Sequence, residues 1–155
     1  MIKFLHAADF HLDAAFSALT GEQAALRRRE QREILDELAE LCRDCELVLL
    51  SGDLFDGAHV YRDTLDALKR FFAAVPGEIF IAPGNHDALV SGSPYLTEAW
   101  GENVHIFTDE APQCIALPRL GCNVYGAAFH GQSCPPPLEG FCVDDPEALN
   151  VMVLH

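Results

Sequence analysis

The chain has 155 residues, 50% hydrophobic and 22% charged, with a formal net charge of −14. That balance excludes disorder, collagen and coiled coil, and the length suits one domain that buries a core without disulfide staples. Residues 71–155 carry Arg119 as their one Lys/Arg against 10 acids, so a basic surface that neutralises phosphates is missing and any phosphate chemistry must take its positive charge from bound metal.

No apolar stretch approaches the ~18 residues needed to cross a bilayer, and the N-terminus meets His6 and Asp9 too early for a secretory signal. A soluble, cytoplasmic chain is expected, with its six cysteines reduced. Cys42-x-x-Cys45 has no second pair and no nearby His, so buried thiols are the better reading than a zinc or redox site.

Ile2–Ala8 reads as a short apolar strand. Thr20-x-x-Gln23 is a capping box opening a helix whose Ile34, Leu35, Leu38, Leu41, Cys42 and Cys45 form one buried stripe. The Arg27-Arg28-Arg29 run within it reads as a solvated face, with Arg29 paired to Glu33. Leu47–Leu50 has no polar face, as a parallel strand buried on both sides requires. A second helix places Tyr61, Leu65, Leu68, Phe72 and Val75 on one face and stops at Pro76-Gly77. Glu78–Ala82 follows as a strand, and the β-α-β-α-β order predicts parallel strands with helices packed on the sheet.

Beyond residue 100, Val104–Phe107, Gln113–Leu117 and Cys122–Ala127 read as short, partly antiparallel additions separated by Pro112, Pro118 and Gly121. His130–Gly140, with Pro135-Pro136-Pro137, is a surface loop. Val151–Leu154 is a last apolar strand with His155 at its carboxyl end. There is no repeat or linker, so residues 1–155 form one domain.

Polar residues interrupt this pattern where strands end: Asp9 and His11, Gly52-Asp53, Gly84-Asn85-His86-Asp87, and His155. Carboxyl ends of parallel strands share one edge, where ligands bind. Singly, each residue is ordinary turn chemistry. Together they bring carboxylate, imidazole and carboxamide donors to one rim, a set suited to manganese or iron and unlike a structural cysteine-zinc site. His6 reads as packed beside the motif, His59 as either reaching the rim or lying in a solvated loop, and His105 and His130 as structural.

Asp9-Phe10-His11, Gly52-Asp53 and Gly84-Asn85-His86-Asp87 resemble, in order and spacing, the signature of the calcineurin-like metallophosphoesterases. The wording His6–Asp13 and Ser51–Asp56 looks most like the DNA double-strand-break repair exonuclease branch, the SbcD-type nuclease subunits and their YhaO-like relatives. The likeness is nearly continuous over the first 90 residues and thin afterwards. It implies an α/β/β/α four-layer sandwich in which Asp9 and His11 bind one metal, Asp53 bridges, and Asn85 and His155 bind the second. His86 is implied to face the scissile phosphate and protonate the leaving oxygen. Two divalent ions are implied, manganese first, with iron, zinc or magnesium as alternatives. Ions roughly 3.5 to 4 Å apart acidify a bridging water and clamp the attacking and leaving oxygens of an in-line displacement.

The family's later Gly-His-x-His segment is absent, so each implied ion lacks one imidazole, and the sandwich's C-terminal strands are missing. The expectation is an N-terminal part of a longer nuclease, weak or inactive alone. Its implied partners are DNA and an SMC-like ATPase engaged through the missing C-terminal region, with a homodimer also considered and no membrane. Two alternatives stand beside the DNA exonuclease: a small-molecule phosphodiesterase or phosphatase on the same site, and an inactive truncated module.

Overall fold

The computed structural model describes residues 1–57 and 59–155. Four parallel strands form the first sheet in the order β1 (Phe4–Ala7), β2 (Leu47–Leu50), β3 (Glu78–Ile81) and β4 (Val104–Ile106). The crossovers from β1 to β2 and β2 to β3 are α1 (Gly21–Leu41) and α2 (Arg62–Ala74), and a four-residue helix, α3 (Pro94–Thr97), lies in the β3–β4 connection. A second sheet holds β5 (Gln113–Leu117), β6 (Cys122–Gly126) and β7 (Leu149–Val153), antiparallel between β5 and β6 and parallel between β6 and β7.

The period of two in a strand sorts β2 and β3 onto two cores. Val48, Leu50, Ile79 and Ile81 face the helices and pack with Leu35, Cys42, Leu68, Phe71 and Phe72. Leu47, Leu49 and Phe80 face the second sheet and pack with Phe107, Cys122, Val124 and Val153. Each fully buried Leu or Phe of this kind contributes about 1.5 to 3 kcal/mol. The mixed α/β architecture is as expected. It is built as three layers, helices, first sheet and second sheet; among the described residues no helix covers the outer face of the second sheet.

Several local expectations need correction. Val104–Ile106 is the fourth parallel strand of the first sheet, not a meandering addition. The last strand belongs to the second sheet, beside β6, and starts at Leu149. In α1, Leu35 and Cys42 are buried but Ile34 and Leu41 are exposed. The buried stripe follows Leu35, Leu38 and Cys42, and a residue one position away is rotated by about 100° off it. Tyr61 is exposed because it is the extended residue preceding α2, and the Arg28 guanidinium lies over its ring at 5.3 Å.

Other local readings hold. The Thr20–Gln23 capping box forms, and Arg29 Nε pairs with Glu33 Oε1 at 3.0 Å. Cys42 and Cys45 are buried, and burial, reinforced by Cys45, pushes the Cys42 thiol up to about 11. Among the described residues, no helix is long and apolar enough to cross a membrane.

Candidate metal centre

The turns after β1 and β2 are zipped together by backbone hydrogen bonds. The Asp9 amide donates to the Gly52 carbonyl at 3.1 Å, that of His11 to Asp53 at 2.9 Å and that of Leu12 to Leu54 at 2.9 Å. The pairing holds an unusual backbone: Asp9, His11 and Asp53 have φ of 56°, 45° and 52°. Left-handed conformations cost a non-glycine residue about 1 to 2 kcal/mol each, so three at one rim mark a place where the fold overrides local preference to aim side chains.

The constraint comes from residues with no ligand role in the sequence reading. Asp87, buried, accepts from the amides of Asp53 (3.2 Å), Leu54 (2.7 Å), Phe55 (3.3 Å) and Gly84 (2.7 Å) and from the Tyr95 hydroxyl (2.5 Å). Five donors around one carboxylate lock the Gly52-Asp53 turn against the Gly84 turn. Burial, with the Asp87 charge next, pushes the Tyr95 phenol well above its usual range, so it stays a donor. Gln31 of α1 donates through Nε2 to the carbonyls of Phe10 and His11, both at 3.2 Å, tying the first turn to the helix.

Asp53 sits at the centre. Its Oδ1 accepts from the His86 amide at 3.0 Å, and its Oδ2 lies 3.7 Å from His11 Nε2 and 3.5 Å from His155 Nε2. His11 Nδ1 donates to Asp56 Oδ1 at 2.8 Å and His155 Nδ1 donates to the Ser51 carbonyl at 3.1 Å. Those bonds assign the proton of each neutral ring to Nδ1, leaving both Nε2 lone pairs aimed at an anionic oxygen. The Oδ1 of Asn85, another acceptor, stands 3.0 Å from His155 Nε2.

Among the described residues, two side-chain groups have ligand atoms within 4.8 Å of one another: His11, Asp53 and His86, and Asp9, Asp53 and His155. A cation placed between acceptors so turned toward one another would offset the repulsion of their lone pairs, and mixed oxygen and imidazole donors fit a divalent transition ion. The residues present thus fit the two-ion set implied by the sequence, with Asp53 common to both groups. By proximity Asp9 groups with His155, and His86 stands with His11. Asn85 lies beside the His155 group.

Glycine is required at two of these points. A Cβ at Gly52 (φ 78°) would lie 2.5 Å from the His155 ring, and one at Gly84 would lie 2.2 Å from Asp53 Oδ1. The remaining histidines lie outside both groups. His6 meets the Ser51 hydroxyl at 2.9 Å, His105 pairs with Glu78 at 2.9 Å and His130 faces the Thr108 carbonyl at 2.9 Å; His59 is exposed. The loop after His130, featureless in composition, brings Gln132 to the rim, where its Nε2 donates to the Asn85 carbonyl at 3.1 Å.

The chain belongs to the calcineurin-like phosphoesterase family, whose model matches residues 2–146. It is 30% identical over 145 residues to the uncharacterized metallophosphoesterase YhaO of Bacillus subtilis strain 168, a match covering 85% of this chain and 35% of that protein. The chain therefore spans little more than a third of the relative's length.

Proposed function

We propose that this chain supplies the metal-binding and leaving-group face of a phosphodiesterase that cleaves DNA in the cytoplasm. The reading rests on one observation above all: Asp53 Oδ2 lies between the Nε2 atoms of His11 and His155. Asp9, His11, Asp53, Asn85 and His155 would hold two divalent ions, manganese first. When bound, such ions polarise the phosphate and raise the acidity of a nearby water.

The chain's own residues do the rest. Asp56 and the Ser51 carbonyl fix the tautomers of His11 and His155. Asp87 keeps Asp53 aimed. His86, 45% exposed and with Nδ1 3.8 Å from Asp56 Oδ1, faces the cleft and donates a proton to the departing oxygen. In balance, water adds to phosphorus and loses one proton to solvent while the P–O ester bond breaks. The departing oxygen takes the His86 proton and leaves as an alcohol, and a phosphate monoester remains. The SMC-like ATPase and the second copy implied by the resemblance belong to the same proposal.

The charge distribution favours a second reading, a small-molecule phosphodiesterase, because a nuclease needs cations along its DNA path and this chain is strongly acidic. The test is manganese-dependent turnover of linear duplex DNA, bis-p-nitrophenyl phosphate and a phosphate monoester by the protein. The DNA reading expects both diesters to be cleaved and the monoester spared. Cleavage of the small diester with DNA left intact selects the second reading, and no turnover of any of the three leaves the inactive module.

A further inference from the structure

Past His11 and Asp56, the loops after β1 and β2 wall a cavity of about 690 Å³, lined by Asp13, Ala15, His59, Val60 and Tyr61 together with Arg28 of α1. Its size is within the range of small-molecule sites. Asp13 stands two residues beyond His11, at most about 7 Å of chain, so the cavity adjoins the rim that holds the metal centre. Its cation is uncommitted. Among the described residues, every Lys and Arg is ion-paired to a carboxylate except Arg28, Arg70 and Arg119. Arg70 borders a groove with Glu33, Asp36, Asp63 and Asp66, and Arg119 lies in the turn between β5 and β6. Arg28 donates from Nη1 to the Ala14 carbonyl at 3.4 Å and lies over the Tyr61 ring. A cation over a ring spends its face and leaves its N–H edge, and the planar edge of a guanidinium matches a phosphate.

The carboxylate in the wall does not oppose an anion. The Asp13 side chain is 2% exposed; its oxygens accept from the Tyr61 amide at 2.8 Å and the Thr64 hydroxyl at 2.7 Å, and Arg32 Nη1 stands 3.6 Å away. Those bonds also fix the residue that carries the ring. Tyr61 is 55% exposed, so a flat group can lie against it beside the guanidinium, and His59 adds ring nitrogens to the wall. Aromatic side chains stack any nucleobase, since every base has a π face.

We infer that this cavity is a nucleotide subsite, in which Arg28 takes a phosphate and Tyr61 stacks the base, and that it holds a neighbouring nucleotide of the strand whose phosphodiester lies in the centre. Nucleotide binding stands on this geometry alone, whereas its place on the strand rests on the DNA reading of the centre. A base must be unpaired to lie on the ring, so the strand is single or frayed there, and the site reads charge and stacking rather than sequence.

Binding can be read without turnover. The protein, stripped of divalent ions by chelator, is titrated with adenosine 5′-monophosphate, adenosine and ribose 5-phosphate while amide NMR shifts are followed. The monophosphate is expected to shift Ala15, Arg28, Val60 and Tyr61 and to bind about tenfold tighter than adenosine, which lacks the phosphate, or ribose 5-phosphate, which lacks the base. Arg28→Ala should bring the monophosphate down to the level of adenosine, Tyr61→Ala to that of ribose 5-phosphate, and Tyr61→Phe should keep the unaltered affinity. All three variants should bind manganese as the unaltered protein does, because neither side chain belongs to a ligand group. No shifts at millimolar concentration, shifts elsewhere, or undiminished binding of the monophosphate by Arg28→Ala would overturn the subsite. With manganese present, Arg28→Ala should raise KM for a single-stranded oligothymidylate about tenfold, with a smaller effect on kcat. Nucleotide binding without turnover of any diester sinks the hydrolytic reading and keeps the subsite; DNA turnover with no nucleotide shifts does the reverse. Nucleotide binding with an unmoved KM would overturn the site's place on the strand.

Discussion

The two ligand groups are built by different means. His11, Asp53 and His86 all hang from turns of the first sheet, and those turns are cross-linked by backbone hydrogen bonds and by Asp87. Asp9, Asp53 and His155 form a group only because β7, in the other sheet, delivers His155 across the interface packed by Leu49, Phe80, Val124 and Val153. One half of the centre is thus a property of local turns and the other of tertiary docking, with Asp53 the point they share.

The most severe break is at the shared point. Asp53→Asn should empty both ion positions and abolish activity, a loss of manganese affinity at least at the ~100-fold upper end seen when supporting groups are removed. Calorimetry that still finds two ions on the variant would remove Asp53 from its central role.

His86 and Asn85 come next. His86→Ala should keep both ions and lower kcat by about 10² to 10⁴, the usual worth of a positioned acid. Asn85→Ala should instead weaken the ion held with His155 and regain rate as manganese is raised. Because His86 also stands within reach of His11 and Asp53, rescue of His86→Ala by excess manganese would make it a ligand and strip it of the acid role.

Docking can be loosened without touching a ligand. Val153→Ala should cost about 1 to 3 kcal/mol of stability and weaken one manganese site by roughly tenfold, leaving the other intact in a two-site titration. Equal weakening of both would mean that the halves are not built separately.

The smallest effect concerns pH. Tyr95 holds its proton more tightly folded than unfolded, so its contribution is complete below its ordinary value of 10.0 and is lost as pH rises through the higher folded value. Tyr95→Phe should cost about 1 to 3 kcal/mol by leaving Asp87 short of a donor, and its thermal midpoint should fall less between pH 9 and 11 than that of the unaltered protein. Parallel pH curves for the two proteins would free Tyr95 of this coupling.

The same division explains what was legible in the sequence. Leu47–Leu50 announced a doubly covered parallel strand because four residues without a polar face have few other homes, Glu78–Ala82 followed from the β-α-β order, and Asp9, His11, Asp53, Asn85 and His155 drew notice as polar residues where apolar strands end. The roles of Asp87 and Gln31 stayed hidden, because the bonds by which they tie one turn to another element reach backbone groups 20 or more positions away, and composition carries no trace of such bonds. Membership of β4 and β7 in their sheets was likewise beyond a local reading: three to five apolar residues fit either layer, and the choice is made by which sheet face remains uncovered.

The notch at Gly52, into which the His155 ring fits, also orders events in time. β5–β7 are drawn from the last third of the chain, and residue 155 must meet residue 51 across a span of 104 positions. Closures of that length are slow to form. A chain caught before the second sheet docks owns one candidate ligand group and two of the three members of the other, so uptake of a second ion would be a clock for the final step of folding. Ions that bind only the docked form should in turn favour it by mass action, making metal supply during synthesis a determinant of how much of this protein reaches its finished state.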